Sequence, residues 1–218
     1  MIYGVKNMQN FLELHKLTEL HKSRLEIFIK VLKKESGIGR KVVNLGDRNK
    51  GPLTILLRKM GFSVITVDLK DADVIQDLNK KLKFRSNVFD IAIAGEIIEH
   101  LYHTTIFLKE VYRILKFGGI LILSFPNIAC LKNRFKLLFG MLPTYCADAE
   151  DFEIKYGVPG HIRDFNLSLV LRLLRNCKFE VKGVWTNGIF LKQKKIVPSI
   201  LCPKTFGDVI ILKAVKMI

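Results

Sequence analysis

The chain has 218 residues, 49% apolar and 26% charged, a balance that supports a buried core and excludes a disordered or collagen-like polymer. Its 36 Lys and Arg against 20 Asp and Glu give a net charge of +16, which raises an anionic partner (nucleic acid, a membrane surface, a phosphorylated substrate) beside the simpler reading of a solvated basic surface. The longest uncharged apolar stretch near the middle, residues 118–131, is interrupted by Pro126-Asn127 and falls short of the roughly 20 residues of a membrane span.

Residues 1–16 show no apolar core or small-residue cleavage site of a secretory signal, so a cytoplasmic protein is expected. The cysteines at 130, 146, 177 and 202 form no CxxC pair and no Cys/His spacing that suits zinc. They read as reduced, mostly buried thiols, and no metal site is expected.

Residues 8–35 are expected to be helical. Phe11, Leu14, Leu17, Leu20, Leu25, Phe28, Val31 and Leu32 recur near helical spacing. His15 and His21 share no helix face and read as surface or boundary residues. Residues 36–39 end this segment. Residues 41–45 read as a strand, 46–51 as a glycine-containing turn, and 52–60 as a helix opened by Pro52 and capped by Gly61. Residues 63–67 form a second strand ending in Asp68, 72–75 a short third, and 88–94 a fourth. A helix over 104–115 leads to a fifth strand over 119–125. Alternating strands and helices mean βαβ units and a mostly parallel sheet covered on both faces. Residues 127–160 interrupt that rhythm with a basic piece (Lys132, Arg134, Lys136) and an acidic cluster (Asp148, Glu150, Asp151, Glu153). They read as a lid or cap. A helix over 166–176 follows, then strands over 180–185 and 208–216 joined by a long loop, as an antiparallel pair at the sheet edge. The expected organisation is an N-terminal helical segment, 1–40, and an α/β domain, 41–218, with its lid at about 127–160.

In an open parallel sheet the ligand sits beyond the C-terminal strand ends, near the point where strand order reverses. The turn Asn44-Leu45-Gly46-Asp47-Arg48-Asn49-Lys50-Gly51 is one such place, and Asp68, 22 residues after Gly46, is the other. A carboxylate there can accept both hydroxyl hydrogens of a ribose. A P-loop needs Lys then Ser or Thr after its second glycine, where Pro52-Leu53 stand. A dinucleotide fingerprint needs a glycine where Arg48 stands. A cofactor with ribose but no phosphate fits better.

On these residues the chain resembles the class I S-adenosylmethionine-dependent methyltransferases from about Lys41 to its end. Residues 41–51 are similar to the family's glycine-rich first motif, and Val67-Asp68-Leu69 to its ribose-binding acid. Asp77-Leu78 resembles the position that contacts the adenine amino group. The run Phe89-Asp-Ile-Ala-Ile-Ala-Gly-Glu-Ile-Ile-Glu-His-Leu101 resembles the fourth-strand motif. Leu115-Lys-Phe-Gly-Gly-Ile-Leu121 resembles the following turn, with Phe117 in place of the usual proline. Pro126-Asn127 and Gly160-His161-Ile-Arg163-Asp-Phe165 resemble a subset acting on small molecules, lipids or glycans. The resemblance implies an α/β, Rossmann-like seven-stranded methyltransferase fold with an antiparallel edge strand and helices on both faces. It implies S-adenosyl-L-methionine as cofactor, bound by Asn44, Leu45, Gly46, Asp47, Gly51, Asp68, Leu69, Asp77, Leu78, Gly95 and Glu96. The sequence departs from the family in its first motif: Asn44 replaces an acid whose charge Asp47 can restore, and Arg48 and Asn49 stand in the glycine region, where Arg48 would be able to fill the methionine pocket.

A sulfonium is already an activated methyl donor, so the protein must align the reactants, exclude water and, for some nucleophiles, provide a base. Four residues are candidates for this work. His100 follows the fourth strand. His161 and Arg163 precede a helix at the cap boundary, as base and as anion ligand. Tyr145 belongs to the cap. Base-amine methylation on DNA or RNA is disfavoured because Ala94-Gly95-Glu96-Ile97 stands where an Asn/Asp-Pro-Pro-aromatic motif would be, and cytosine chemistry lacks its Pro-Cys. Methyl transfer to O or N of a small-molecule, lipid or glycan acceptor is the expected function. Two alternatives are RNA methylation through the basic C-terminal half, where residues 171–218 hold ten Lys and Arg against Glu180 and Asp208, and a degenerate fold that binds without catalysis. The leucine-rich N-terminal helix is expected to cover the pocket or to dimerise.

Overall fold

The computed structural model describes residues 17–35, 39–144, 160–192 and 194–217. Helix α1 (Glu19–Lys33) opens at Thr18, whose hydroxyl accepts the His21 N–H. It buries Leu25, Phe28, Ile29, Val31 and Leu32, which recur at helical spacing, so burial rather than propensity holds it in place. The first part of the expected helix, through residue 16, lies outside the described residues.

The strands are β1 (Lys41–Leu45), β2 (Ser63–Asp68), β3 (Val74–Ile75), β4 (Phe89–Gly95), β5 (Leu115–Pro126), β6 (Phe179–Thr186), the small hairpin β7 (Ile189–Leu191) and β8 (Lys194–Val197), and β9 (Val209–Lys216). Seven of them form one sheet in the order β3-β2-β1-β4-β5-β9-β6. β1 to β5 pair in parallel, while β9 is antiparallel to both β5 and β6. The antiparallel pair expected at the sheet edge is therefore present. Its antiparallel member, β9, sits one place inside, and β6 forms the edge. The chain moves outward through β1, β2 and β3, then returns to β4 on the other side of β1, so order reverses between β1 and β4.

Helices α2 (Pro52–Lys59), α3 (Thr104–Ile114), α4 (Leu131–Leu138) and α5 (Leu167–Asn176) complete the described elements together with a 3₁₀ turn, Ile98–His100. Alternation along each strand separates two cores. Ile91, Ile93, Ile120, Ile122, Val209 and Ile211 join Phe28, Leu32 and Leu57 under α1 and α2. Ala92, Ala94, Leu121, Leu123, Ile210 and Leu212 join Phe107, Val111, Val170 and Leu174 under α3 and α5. The helix expected to reach residue 115 stops at Ile114 because Leu115 already pairs with Phe89 across a register shift. The long loop between the last two sheet strands contains the β7–β8 hairpin, which the sequence did not announce.

Asn127, just past β5, ties three segments together. Its Nδ2 donates to Thr205 O and Gly207 O (3.0 Å each), and it bridges to Phe165, whose carbonyl accepts the Ile128 N–H (2.9 Å). This fixes residues 160–165 beside the strand ends. Of the lid region, residues 127–144 are described and contain α4; the acidic cluster and Tyr145 lie outside the described residues. Cys130, Cys177 and Cys202 are buried reduced thiols, and burial pushes the Cys130 thiol up to about 11. Among the described residues, no helix is long and apolar enough to cross a membrane.

The loop before β4 is clamped by a bidentate pair. Arg113 donates to Glu110 through Nε (2.9 Å) and Nη2 (2.6 Å), Glu110 also accepts the Leu82 N–H (2.9 Å), and Arg113 reaches Leu82 O and Phe84 O. The Arg113 hydrogen bonds hold the Glu110 carboxyl below its ordinary value against the opposing push of burial. A depressed carboxyl contributes stability that is present above its unfolded value, about 4.3, and is lost as pH falls through the folded one. Glu110→Gln is expected to cost about 1.5 kcal/mol at pH 7. Urea unfolding at pH 7 and again near pH 4 should show the gap between variant and wild type closing as pH falls.

Candidate active site

The glycine turn is held from beneath. Asn44, 1% exposed at the end of β1, donates through Nδ2 to Asp47 Oδ2 (2.8 Å) and to Thr54 Oγ1 (2.9 Å), and the Thr54 hydroxyl donates to the same Asp47 oxygen (2.8 Å). Asp47 Oδ1 accepts the Arg48 N–H (2.9 Å). Burial pushes the Asp47 carboxyl upward, and hydrogen bonds from Thr54, Arg48 and Asn44 pull it back. The carboxylate thus lies against the start of α2, where unpaired helix N–H groups favour negative charge. A Cβ on Gly51 would stand 1.9 Å from Asp47 Oδ1, so any side chain there would push the Asp47 carboxylate out of this place. Gly46 has φ +79°, donates to Val67 O (2.8 Å), and would meet Ile97 at 2.7 Å through any Cβ.

Above this base lies an open cleft of about 870 Å³, lined by Gly46, Asp47, Arg48, Asn49, Lys50, Gly51, Asp68, Asp71 and Ala72. That size suits a nucleoside-sized ligand; small-molecule sites run about 300–1,000 Å³. Arg48 is exposed on the cleft wall and leaves it open. Asp68 ends β2, and its Oδ1 accepts the Leu69 N–H (2.6 Å), which fixes the carboxylate at the cleft. Leu69 itself is exposed. The Gln76 N–H donates to Asp68 O (3.0 Å) and brings Asp77 close behind; Asp77 Oδ1 accepts both Asn79 nitrogens (2.8 and 3.1 Å). Leu78 is buried in the core.

A smaller cavity of about 160 Å³ continues from Gly46 and Asp47 toward Asn44, Leu45, Gly95 and, from α1, His21 and Arg24. Glu96, with φ +54°, follows Gly95 just past β4. The Ser124 hydroxyl donates to its Oε1 (2.7 Å), and Arg24 stands 3.6 Å from its Oε2. Burial lowers the His21 imidazole's affinity for a proton; Arg24 adds to this and Glu96 opposes it. Backbone strain of this kind at a non-glycine residue gathers at functional sites.

Beyond Glu96 the 3₁₀ turn presents Glu99 and His100 to the segment that begins at Gly160. His100 Nδ1 lies 3.0 Å from Gly160 O, and the rings of His100 and His161 meet edge to face with centroids 5.0 Å apart. Ile162 and Arg163 N–H groups both donate to Glu99 O (2.9 and 3.2 Å). The Arg163 guanidinium donates to Leu101 O (3.1 Å) and Tyr102 O (2.6 Å). Arg163 is thereby committed to carbonyls that dock its own segment. Burial and the charge of Glu96 hold the Glu99 carboxyl well above the ordinary carboxylate range.

Of the predicted cofactor residues, Gly46, Asp47, Gly51 and Asp68 line the larger cavity and Asn44, Leu45, Gly46, Asp47 and Gly95 the smaller one; Leu69, Asp77, Leu78 and Glu96 line neither, with Leu78 in the core, and His100 and His161 pair with each other beyond Glu96. Sequence reasoning missed Arg24, Thr54, Glu99 and Ser124. Thr54 and Ser124 carry no signal as single hydroxyls within a helix and a strand, and Arg24 reaches the site only by tertiary packing. Glu99 was visible as an acid embedded among apolar residues in the quoted Glu-Ile-Ile-Glu-His run.

A family model described as a methyltransferase domain matches residues 48–123. The mitochondrial ubiquinone biosynthesis O-methyltransferase of Mus musculus is 26% identical over 121 residues, covering 46% of this chain and 32% of that protein; the match spans about a third of the relative's length. A SAM-dependent methyltransferase from Archaeoglobus fulgidus superposes with a TM-score of 0.61 at 18% identity, covering 94% of this chain and 98% of its own. One from Thermotoga maritima gives 0.59 at 21%, covering 97% and 96%. At such identities these structures speak for the fold.

The triangle beneath the turn makes a counter-intuitive substitution informative. Asn44→Asp, which installs the acid usual in the first motif, removes the amide donor and sets a second carboxyl 2.8 Å from Asp47. It is expected to cost about 2–3 kcal/mol at pH 7, as measured by chemical denaturation, and to weaken rather than improve cofactor affinity.

Proposed function

We propose that this chain, which belongs to the class I S-adenosylmethionine-dependent methyltransferases, transfers a methyl group to an oxygen or nitrogen of a small-molecule, lipid or glycan acceptor. The observation that carries this reading is the cleft lined by Gly46, Asp47, Gly51 and Asp68 at the ends of β1 and β2, together with the paired imidazoles of His100 and His161 past the end of neighbouring β4.

The residues present fit the cofactor. Asp68 is the acceptor for a ribose diol. Gly46 lets the backbone approach closely where a Cβ would collide. Asn44, Leu45 and Gly95 line the smaller cavity, and Glu96, next to Gly95 in the chain, sets a carboxylate near it from which a positively charged methionine moiety would gain. When bound, S-adenosylmethionine supplies a methyl group already activated by its sulfonium. The chain's own work is then to orient an acceptor and to handle the proton that a hydroxyl gives up. His100 and His161 suit the second task, because an imidazole exchanges protons near neutral pH. Arg163 acts as a positioning residue, since its two carbonyl bonds hold the segment that carries His161. Transfer to oxygen is favoured over nitrogen by the imidazole pair and by the O-methyltransferase similarity.

Titration calorimetry with S-adenosylmethionine and S-adenosylhomocysteine is the direct test. Wild type is expected to bind both at micromolar Kd. Asp68→Ala is expected to lose at least tenfold, about 1.4 kcal/mol, because two ribose hydrogen bonds go with it. A folded wild type that binds neither would shift the reading to a methyltransferase fold used for binding alone.

A further inference from the structure

We propose that Glu99, His100 and His161 form a site for one divalent first-row transition-metal cation, beyond the end of β4 where the 3₁₀ turn meets residues 160–163. Each residue offers one ligand atom, and the three atoms lie within 4.8 Å of one another. Donors about 2.1 Å from one ion stand roughly 3–4 Å apart, so a small contraction completes the set.

Glu99 is the observation that asks for an occupant. It is 1% exposed, and neither carboxylate oxygen has a hydrogen-bond partner. Burying such a group is costly unless a donor, a cation or a proton meets it; Glu96 nearby makes the surroundings more negative, against a smaller opposing pull from the Arg24 charge, which makes no contact with Glu99. The groups gathered around Glu99 are two imidazoles, which serve as ligands through a nitrogen lone pair. His100 is oriented for this role. A carbonyl only accepts, so Nδ1, 3.0 Å from Gly160 O, carries the hydrogen and Nε2 carries the lone pair. His161 is brought in by a segment tied to Glu99 O through two N–H groups and to Leu101 O and Tyr102 O through Arg163. The site thus has the rigid supporting hydrogen bonds that metal centres use to hold their first ligands.

One carboxylate and two imidazoles favour Zn²⁺, Mn²⁺, Fe²⁺ or Co²⁺ over Mg²⁺ and Ca²⁺, which prefer oxygen alone. Three protein ligands leave a position for water or for an acceptor oxygen, whose hydroxyl would give up its proton more readily on the ion; with both imidazole lone pairs on the ion, that proton would pass to solvent water, and the ion would take over the task that free imidazoles would otherwise perform. That role rests on the methyl-transfer reading; the binding of the ion does not. The sequence concealed the site because its donors come from positions 99, 100 and 161, outside any zinc spacing.

Titration of the full chain with Co²⁺ alone, followed by its visible d–d absorption, tests the proposal. Wild type is expected to take up one ion per chain. Glu99→Gln and His161→Gln are each expected to bind at least tenfold more weakly, and Asp68→Ala as wild type does. Circular dichroism checks folding; if Glu99→Gln fails to fold, His161→Gln, on a half-buried loop residue, decides. Absence of d–d bands from folded wild type, or unchanged affinity in folded His161→Gln, overturns the site. A chain that takes up Co²⁺ but not S-adenosylhomocysteine would overturn the methyl-transfer reading and leave the metal site standing.

Discussion

The hydrogen-bonded triangle of Asn44, Asp47 and Thr54 is the constraint on which the cofactor cleft depends. It joins the end of β1 to the first turn of α2 and sets the path of the chain between them. An Asn at the strand end can donate to both partners at once, which a carboxylate cannot. The position usually acidic in the methyltransferases this chain resembles is therefore neutral here for a local reason, and the negative charge stands three residues along the turn. Gly51 completes the device, because any side chain there would displace the Asp47 carboxylate.

From this base the site is assembled by the sheet. Strand order reverses between β1 and β4, so the glycine turn and the Gly95–Glu96 turn diverge from neighbouring strands and leave a crevice between them. Ile97 packs against Gly46, which fixes the 3₁₀ turn close to the glycine turn. Asn127 then draws residues 160–165 to the same edge. His161 and His100 meet although sixty-one positions separate them in the chain. The cost is visible in Glu96, a non-glycine residue at positive φ, and in Glu99, a carboxyl buried without donors.

Much of the fold was legible in the sequence because βαβ units write their period plainly. Runs such as Ile91–Ile93 and Ile120–Leu123 are apolar on both faces, as a covered parallel sheet requires, and Pro52 and Gly61 bracket α2. The turns that line the cleft were legible for a related reason: they lie at strand ends, where position in the chain predicts position in space. The β7–β8 hairpin was not legible, since Ile189–Leu191 is too short to carry a period. The N-terminal helix was read as a cover for the pocket or a dimer surface, but not through Arg24, which looks like any solvated helix cation until α1 packs against the sheet and brings it to Glu96. The triangle under the turn was half legible: Asp47 was recognised as a substitute charge, but its downward direction follows from Thr54, a residue with no distinguishing context.

Charge distribution connects these levels. A chain of net charge +16 would be expected to surround its ligand with positive potential, yet its concave surface collects carboxylates. Asp47, Asp68 and Asp71 line the larger cavity beside Arg48 and Lys50, and Glu96 stands near the smaller one, already facing Arg24. Several of the basic residues are engaged away from the cleft. Lys213 pairs with Glu35, Lys132 with the buried Asp208, and Lys216 is buried between Tyr112 and Phe117, donating to Leu115 O. Low-dielectric walls strengthen whichever charges remain inside a cleft. A sulfonium-bearing ligand therefore meets a local surplus of acid within a basic protein, and the positive exterior is no obstacle to it. Glu99, buried beyond Glu96 and held toward its neutral form by burial and by the Glu96 charge, would exchange its proton for a cation that binds there.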